Sequence, residues 1–123
     1  MPDAVRPPGW PADLPPPHTP ECDERVVAWL LDRAPAGFRS APALRANPIA
    51  LARVVAYTCT GELEALRAAY GAVRRELAAE LSPEQVDAVL IDLEARGAEA
   101  GETLRQVEQV GAAVAGATWR ARL

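Results

Sequence analysis

Apolar and small residues recur along the second half of the chain at alternating spacings of four and three. They are Val86, Leu90, Leu93, Gly97, Ala100, Leu104, Val107, Gly111, Val114, Thr118 and Ala121. Such spacing keeps one face of a helix apolar and makes a coiled-coil seam of about five heptads. Asp87, Asp92, Glu94, Arg96, Glu99, Glu102, Arg105 and Glu108 fall between the seam positions, as a solvated face requires. The pattern predicts a helix over 83–122. Ser82 can cap its start, Pro83 suits its first turn, and Gln85 completes a capping box. Arg120 and Arg122 would suit the negative end of its dipole.

A second long helix is predicted over 48–81, with Asn47 as cap and Pro48 as first residue. Leu63, Leu66, Tyr70, Val73 and Leu77 repeat at threes and fours. Folding at Leu81-Ser82-Pro83 lays the two helices antiparallel. Tyr70 then faces Gly97, Leu63 faces Leu104 and Cys59 faces Val107. A large residue opposite a glycine favours interdigitated packing. Each arm would be roughly 50 Å long at about 1.5 Å per residue. Thr58, Thr60 and Gly61 weaken the middle of the first arm and allow a kink there.

The first 19 residues hold seven prolines, which favours extended, polyproline-like chain. Trp10 and Leu14 are the large apolar anchors of this segment, which reads as a strap laid over the helices from Trp10 onward. Whether it packs in cis or in trans is open at this stage, and a proline-rich ligand for another protein's aromatic groove is an alternative. A helical domain is predicted over 20–123. It opens with a short helix over 20–33, capped by Thr19 and started by Pro20, with Glu21, Asp23 and Glu24 in its first turn. A loop follows through Pro35 and Gly37, tucked down by Phe38, and then a brief helix over 41–46.

Half of the 123 residues are hydrophobic, and the net charge is −4. All the basic residues are arginine. The stretch 82–123 carries seven acids against four arginines. An acidic helix is a poor match for nucleic-acid phosphates or anionic membranes, so neither partner is expected. No apolar run approaches the roughly 18 residues of a membrane span, and the proline-rich start lacks the apolar stretch of a signal peptide. A cytoplasmic setting is expected, with Cys22 and Cys59 as reduced thiols.

Candidate chemistry is sparse. His18 is the one histidine, so the Glu-x-x-His pairs of a di-iron bundle are missing. Cys59 occupies a seam position and reads as a buried structural thiol. Cys22 lies at a helix N-terminus, where the dipole can lower a thiol pKa. Glu76 and Glu80 form a carboxylate pair beside Arg74 and Arg75, in a run that reads as solvated surface. Gly97 to Gly101 matches G-x-x-x-G, which among charged neighbours reads as a close helix crossing. No Walker or G-x-G-x-x-G loop occurs. No catalytic residue, metal site or cofactor is predicted.

The stretches W-P-A-D-L-P-P-P, E-R-V-V-A-W-L-L-D and L-R-A-N-P-I-A-L-A-R, within residues 10–75, resemble small helical proteins of actinobacteria. The resemblance implies a bacterial, cytoplasmic setting and no activity or cofactor.

The fold expected is all-α: a long antiparallel helical hairpin with one or two short N-terminal helices and a proline-rich strap. Val54, Val89, Ile91 and Val110, with the alanines at 65, 68, 72, 112 and 113, make a second apolar rim. That rim predicts a homodimer in which two hairpins form a four-helix bundle. The expected function is a non-enzymatic protein-interaction module, a scaffold, adaptor or regulator acting on a second copy or another protein through its helical faces, with a tightly filled seam and no cavity. The alternative is a small-molecule-binding module, with an apolar pocket near Tyr57, Gly61, Gly111 and Trp119.

Overall fold

The computed structural model describes residues 5–116, and all its regular elements are helices. Helix α1 spans Pro20–Leu31, α2 Pro42–Ala46, α3 Pro48–Leu77 and α4 Pro83–Val114, with a 3₁₀ turn over Ala36–Ser40. α3 and α4 pack along their length as an antiparallel hairpin, and α1 and α2 lie against α3.

The caps follow the sequence where a hydroxyl is available. Thr19 Oγ1 accepts from the Cys22 amide at 3.2 Å, and Pro20 takes the first turn of α1. Ser82 and Gln85 form the full capping box of α4: the Gln85 amide donates to Ser82 Oγ at 3.2 Å, and the Ser82 amide donates to Gln85 Oε1 at 2.9 Å. Asn47 does otherwise. Its side-chain amide donates back to the Ala43 carbonyl at 2.8 Å, closing α2, and α3 starts with no side-chain cap.

Two helix ends fall short of expectation. α3 stops at Leu77, not 81, and the chain turns through Ala78–Leu81. Ser82 is extended (φ −68°, ψ 160°), the conformation a residue before proline favours. α4 ends at Val114, with Gly116 at φ +81° beyond it. The Gly116 amide donates to the Ala113 carbonyl at 3.0 Å, so a glycine in the left-handed region closes the helix. Thr118, Trp119, Arg120, Ala121 and Arg122 lie outside the described residues.

The early turn moves the register. Gly111 packs against Ala52, where a Cβ on the glycine would lie 3.2 Å from the alanine methyl. Folding at 81–83 would have set residue 56 there. Tyr70 still borders Gly97, but its ring does not fill the space over it; it lies half out of the seam, and its hydroxyl donates to Glu94 at 2.7 Å. The middle of α3 is continuous helix. Thr58 and Thr60 donate to the Val55 and Ala56 carbonyls at 2.7 and 3.0 Å, which satisfies both hydroxyls within the helix.

The strap lies on its own chain and is built of turns, not of uniform polyproline. The Trp10 amide donates to the Pro7 carbonyl at 3.0 Å. Pro8 and Gly9, with Gly9 at φ +81°, occupy the centre of that turn, a pairing suited to type II geometry. Trp10 and Leu14 are 7% and 1% exposed. They join Val26, Leu30, Leu51, Val55, Val107 and Val110 in one buried cluster. Phe38 packs against the edge of that cluster, as its position in the loop implied.

Candidate functional site

The buried cluster occupies one end of the hairpin. Every fully buried residue of α3 lies between Leu51 and Cys59. The strap, α1 and the C-terminal half of α4 close around those positions. The rest of the hairpin is a two-helix arm. Leu63, Leu66, Val73, Leu77 and Leu93 are only half-buried there, and Val86, Leu90 and Ala100 are buried without joining the main cluster. Leu63, Leu66, Tyr70, Leu93 and Gly97 line a shallow groove of about 220 Å³ along the arm. A Cβ at Gly97 would meet nothing within 4 Å, so this part of the seam is not tightly filled.

Ion pairs brace the arm from outside. Arg96 donates to both carboxylate oxygens of Glu62 at 2.7 and 2.8 Å, and Arg74 pairs with Asp87 at 3.0 Å. The Glu62 carboxylate holds the Arg96 pKa above its ordinary value. The Tyr70 hydroxyl is raised too, because its hydrogen bond to Glu94 is lost on ionisation.

The four expected interface residues do not share a face. Val110 is fully buried in the core of its own chain, because the strap covers the outer side of α4 at the base. It is therefore withdrawn from any outer rim. Val54 is half-buried near the base, while Val89 is half-buried and Ile91 65% exposed towards the tip. Ala65, Ala68 and Ala112 are exposed, and Ala72 and Ala113 are half-buried.

Among the described residues, the members of the expected pocket stand apart, and Trp119 lies outside them. Tyr57 is 71% exposed and Gly61 is also exposed, whereas Gly111 faces Ala52 inside the hairpin. Beside this stretch is a different recess of about 320 Å³, lined by Arg33, Pro35, Thr58, Cys59, Glu62 and Arg96. Its charged groups are already paired: Arg96 with Glu62, and Arg33 with Asp13.

Asp13 is a structural junction that the sequence pattern did not reveal. Its carboxylate accepts from the Trp29 indole at 2.9 Å and from Arg33 at 2.8 Å, and its carbonyl accepts from Arg25 at 3.1 Å. Arg33 also stacks over the Trp29 ring, 3.7 Å from the centroid. The indole hydrogen bond first, and then Arg33, hold the Asp13 carboxyl below the usual carboxylate range. One residue thus ties the strap to α1. Its spacing from Trp29 and Arg33 follows no helical or strand period, so no periodicity signalled it.

Burial pushes both thiols up, with Asp23 adding to the effect at Cys22 and Glu62 at Cys59. Cys59 is the buried structural thiol its position suggested. At Cys22 the thiol is raised despite its place at the start of α1, by burial first and then by Asp23. His18 is exposed and takes φ +63°, a left-handed turn just before the Thr19 cap. Among the described residues no three His, Cys, Asp or Glu side chains converge as a metal site, and no helix is long and apolar enough to cross a membrane.

No family model matches this chain, and no curated protein or solved structure matches it.

Proposed function

We propose that the chain is a non-enzymatic helical interaction module whose working surface is the two-helix arm, and that its partner there is a second copy. The observation that carries this reading is the contrast in cover. The base of the hairpin is enclosed by the strap and α1, but Leu63, Leu66, Val73, Leu77 and Leu93 have only the opposing helix beside them. Covering a half-exposed leucine is worth about 1 kcal/mol, and a row of five gives a second hairpin a reason to dock. Two arms packed side by side form a four-helix bundle. Val89 and Ile91 then flank the contact, while Val54 lies too near the base to share it.

The thiols support a role without covalent chemistry, being buried and shifted away from reactivity. Two free cysteines also agree with a reducing compartment, the bacterial cytoplasm on this reading. Small-molecule binding has weaker support, since the charged groups around the Cys59 recess are satisfied by one another.

Light scattering across concentration tests the reading. A dimer should persist at low micromolar protein, and Leu66→Glu with Leu93→Glu should give a folded monomer. The arm carries ten acids and four arginines between 62 and 102. Two such arms repel, so added salt should tighten the dimer by screening them. A wild-type monomer at all concentrations sinks the proposal.

A further inference from the structure

Two turns in and beside the strap share one plan and differ in one residue. In the first, Pro8 and Gly9 lie between Pro7 and Trp10, and Gly9 takes φ +81°. In the second, Pro17 and His18 lie between Pro16 and Thr19, whose hydroxyl donates to the Pro16 carbonyl at 2.7 Å. His18 takes φ +63°, and among the described residues it is the one non-glycine in the left-handed region. Glycine enters that region freely, whereas a residue with a Cβ is strained there. The strained turn is the joint between the strap and α1, which begins at Pro20. His18 is exposed, so little packing holds the joint in place.

The strap ahead of this joint is organised by its own bonds. The Trp10 indole donates to the Leu14 and Pro15 carbonyls at 3.3 and 3.0 Å, and Arg6 donates to the Pro11 and Leu14 carbonyls. These bonds travel with the strap if it swings on the joint. Its seat on the helices is specific. Trp10 and Leu14 enter the buried cluster, Asp13 meets Trp29 and Arg33, and Gln109 donates to the Pro8 carbonyl. Every copy of the chain carries the same strap and the same seat. A second copy is therefore the partner that fits with no new surface.

We propose that two copies exchange straps, each strap seated on the other chain, with His18 as the hinge. Opening takes His18 to an extended φ, in line with Thr19, which is already extended at φ −112° and ψ 151°. Pro15, Pro16 and Pro17 favour the same course. At about 3.1 Å per residue, the run 15–19 then reaches roughly 16 Å and carries the strap off its own body. Exchange remakes the contacts of the seat in trans and releases the strain at both hinges. Against it stand the uncovering of Pro17, which is buried in the closed turn, and the entropy of joining two chains. The exchanged form therefore grows with concentration. The proposal does not rest on the arm as a dimer surface.

Substitutions at residue 18 decide it, made in the full chain carrying Leu66→Glu and Leu93→Glu so that the arm does not contribute. Samples are equilibrated at high protein concentration in moderate urea and returned to buffer, and their mass is read by light scattering. The dimer fraction should rise in the order His18→Gly, His18 retained, His18→Val, His18→Pro. His18→Gly should lower the dimerisation constant about tenfold relative to His18. In dimers of one isotope-labelled and one unlabelled chain, nuclear Overhauser effects should join the Trp10 ring of one chain to the Leu30 and Val55 methyl groups of the other. Those interchain contacts should follow the same order when the arm is left unchanged. If His18→Pro does not fold, His18→Val against His18→Gly reads the same difference. Monomers throughout overturn the proposal, whether the strap is seated or loose. So do Trp10 contacts confined to one chain, and so does a dimer fraction indifferent to residue 18.

Discussion

The two ends of the hairpin are built from similar helix and packed to different degrees. At the base, α3 and α4 are two sides of a core that the strap and α1 complete, and Leu30, Leu51, Val107 and Val110 are shut from solvent. In the arm, Leu63, Leu66, Leu77 and Leu93 at the same helical spacing have only the opposing helix beside them and remain half-buried, although Leu90 is covered. Heptad spacing therefore specifies which residues face inward, while the number of elements around them sets how much that burial contributes. A two-helix segment leaves one side of its seam open, however regular the sequence.

Truncation should separate the ends most sharply. Leu30→Ala removes a fully buried side chain and should cost about 3 kcal/mol in urea unfolding. Leu66→Ala, measured at protein concentrations low enough to give monomer, should cost about 1 kcal/mol. Equal costs would show that the arm is enclosed after all.

The glycines sharpen the contrast with opposite signs. Gly111→Val drives methyl groups into the Ala52 contact and should destabilise by about 2 kcal/mol. Gly97→Ala enters open space in mid-helix and should stabilise by up to about 1 kcal/mol. Thermal melts of the two variants would show both effects.

Acid should loosen the base before the arm. The folded Asp13 carboxyl lies below its ordinary value, so the stability it adds is full above that value, near pH 4. It is lost as pH falls through the lower, folded value. The tie between strap and α1 should therefore weaken below about pH 4. Asp13→Asn should show a smaller loss over the same range, read from Trp29 fluorescence during acid titration. Arg96→Ala should have the smallest effect, because its partners are exposed: about 0.5 kcal/mol at low salt, fading as salt screens the pair.

The hairpin, the Ser82 capping box and the seam of α4 were legible in the sequence because each depends on near neighbours. Val86, Leu90, Ala100 and Val107 are all buried as their spacing requires. The register was not legible. It depends on where α3 ends, and that helix stops at Leu77, four positions before its expected end, in a stretch with no local stop signal. The rim fared worst. Val110 looks like an outer residue on a helical wheel, but the strap brings the outside of α4 inside. Asp13 was invisible for the same reason: its partners Trp29 and Arg33 are set by how the strap lies, which no local pattern encodes.

The strap also gives the fold a direction in time. Gln109 donates to the Pro8 carbonyl at 2.9 Å across a sequence separation of 101 residues. During synthesis the strap emerges before α4, so its seat there can form only after α4 has followed. The hairpin can zip from Ser82 by local steps, whereas strap closure must wait for a long loop. Trp10 and Leu14 remain exposed through that interval. The surrounding prolines, which cannot donate to a β-ladder, keep this apolar segment from pairing with other chains until the rest of the core is ready to receive it.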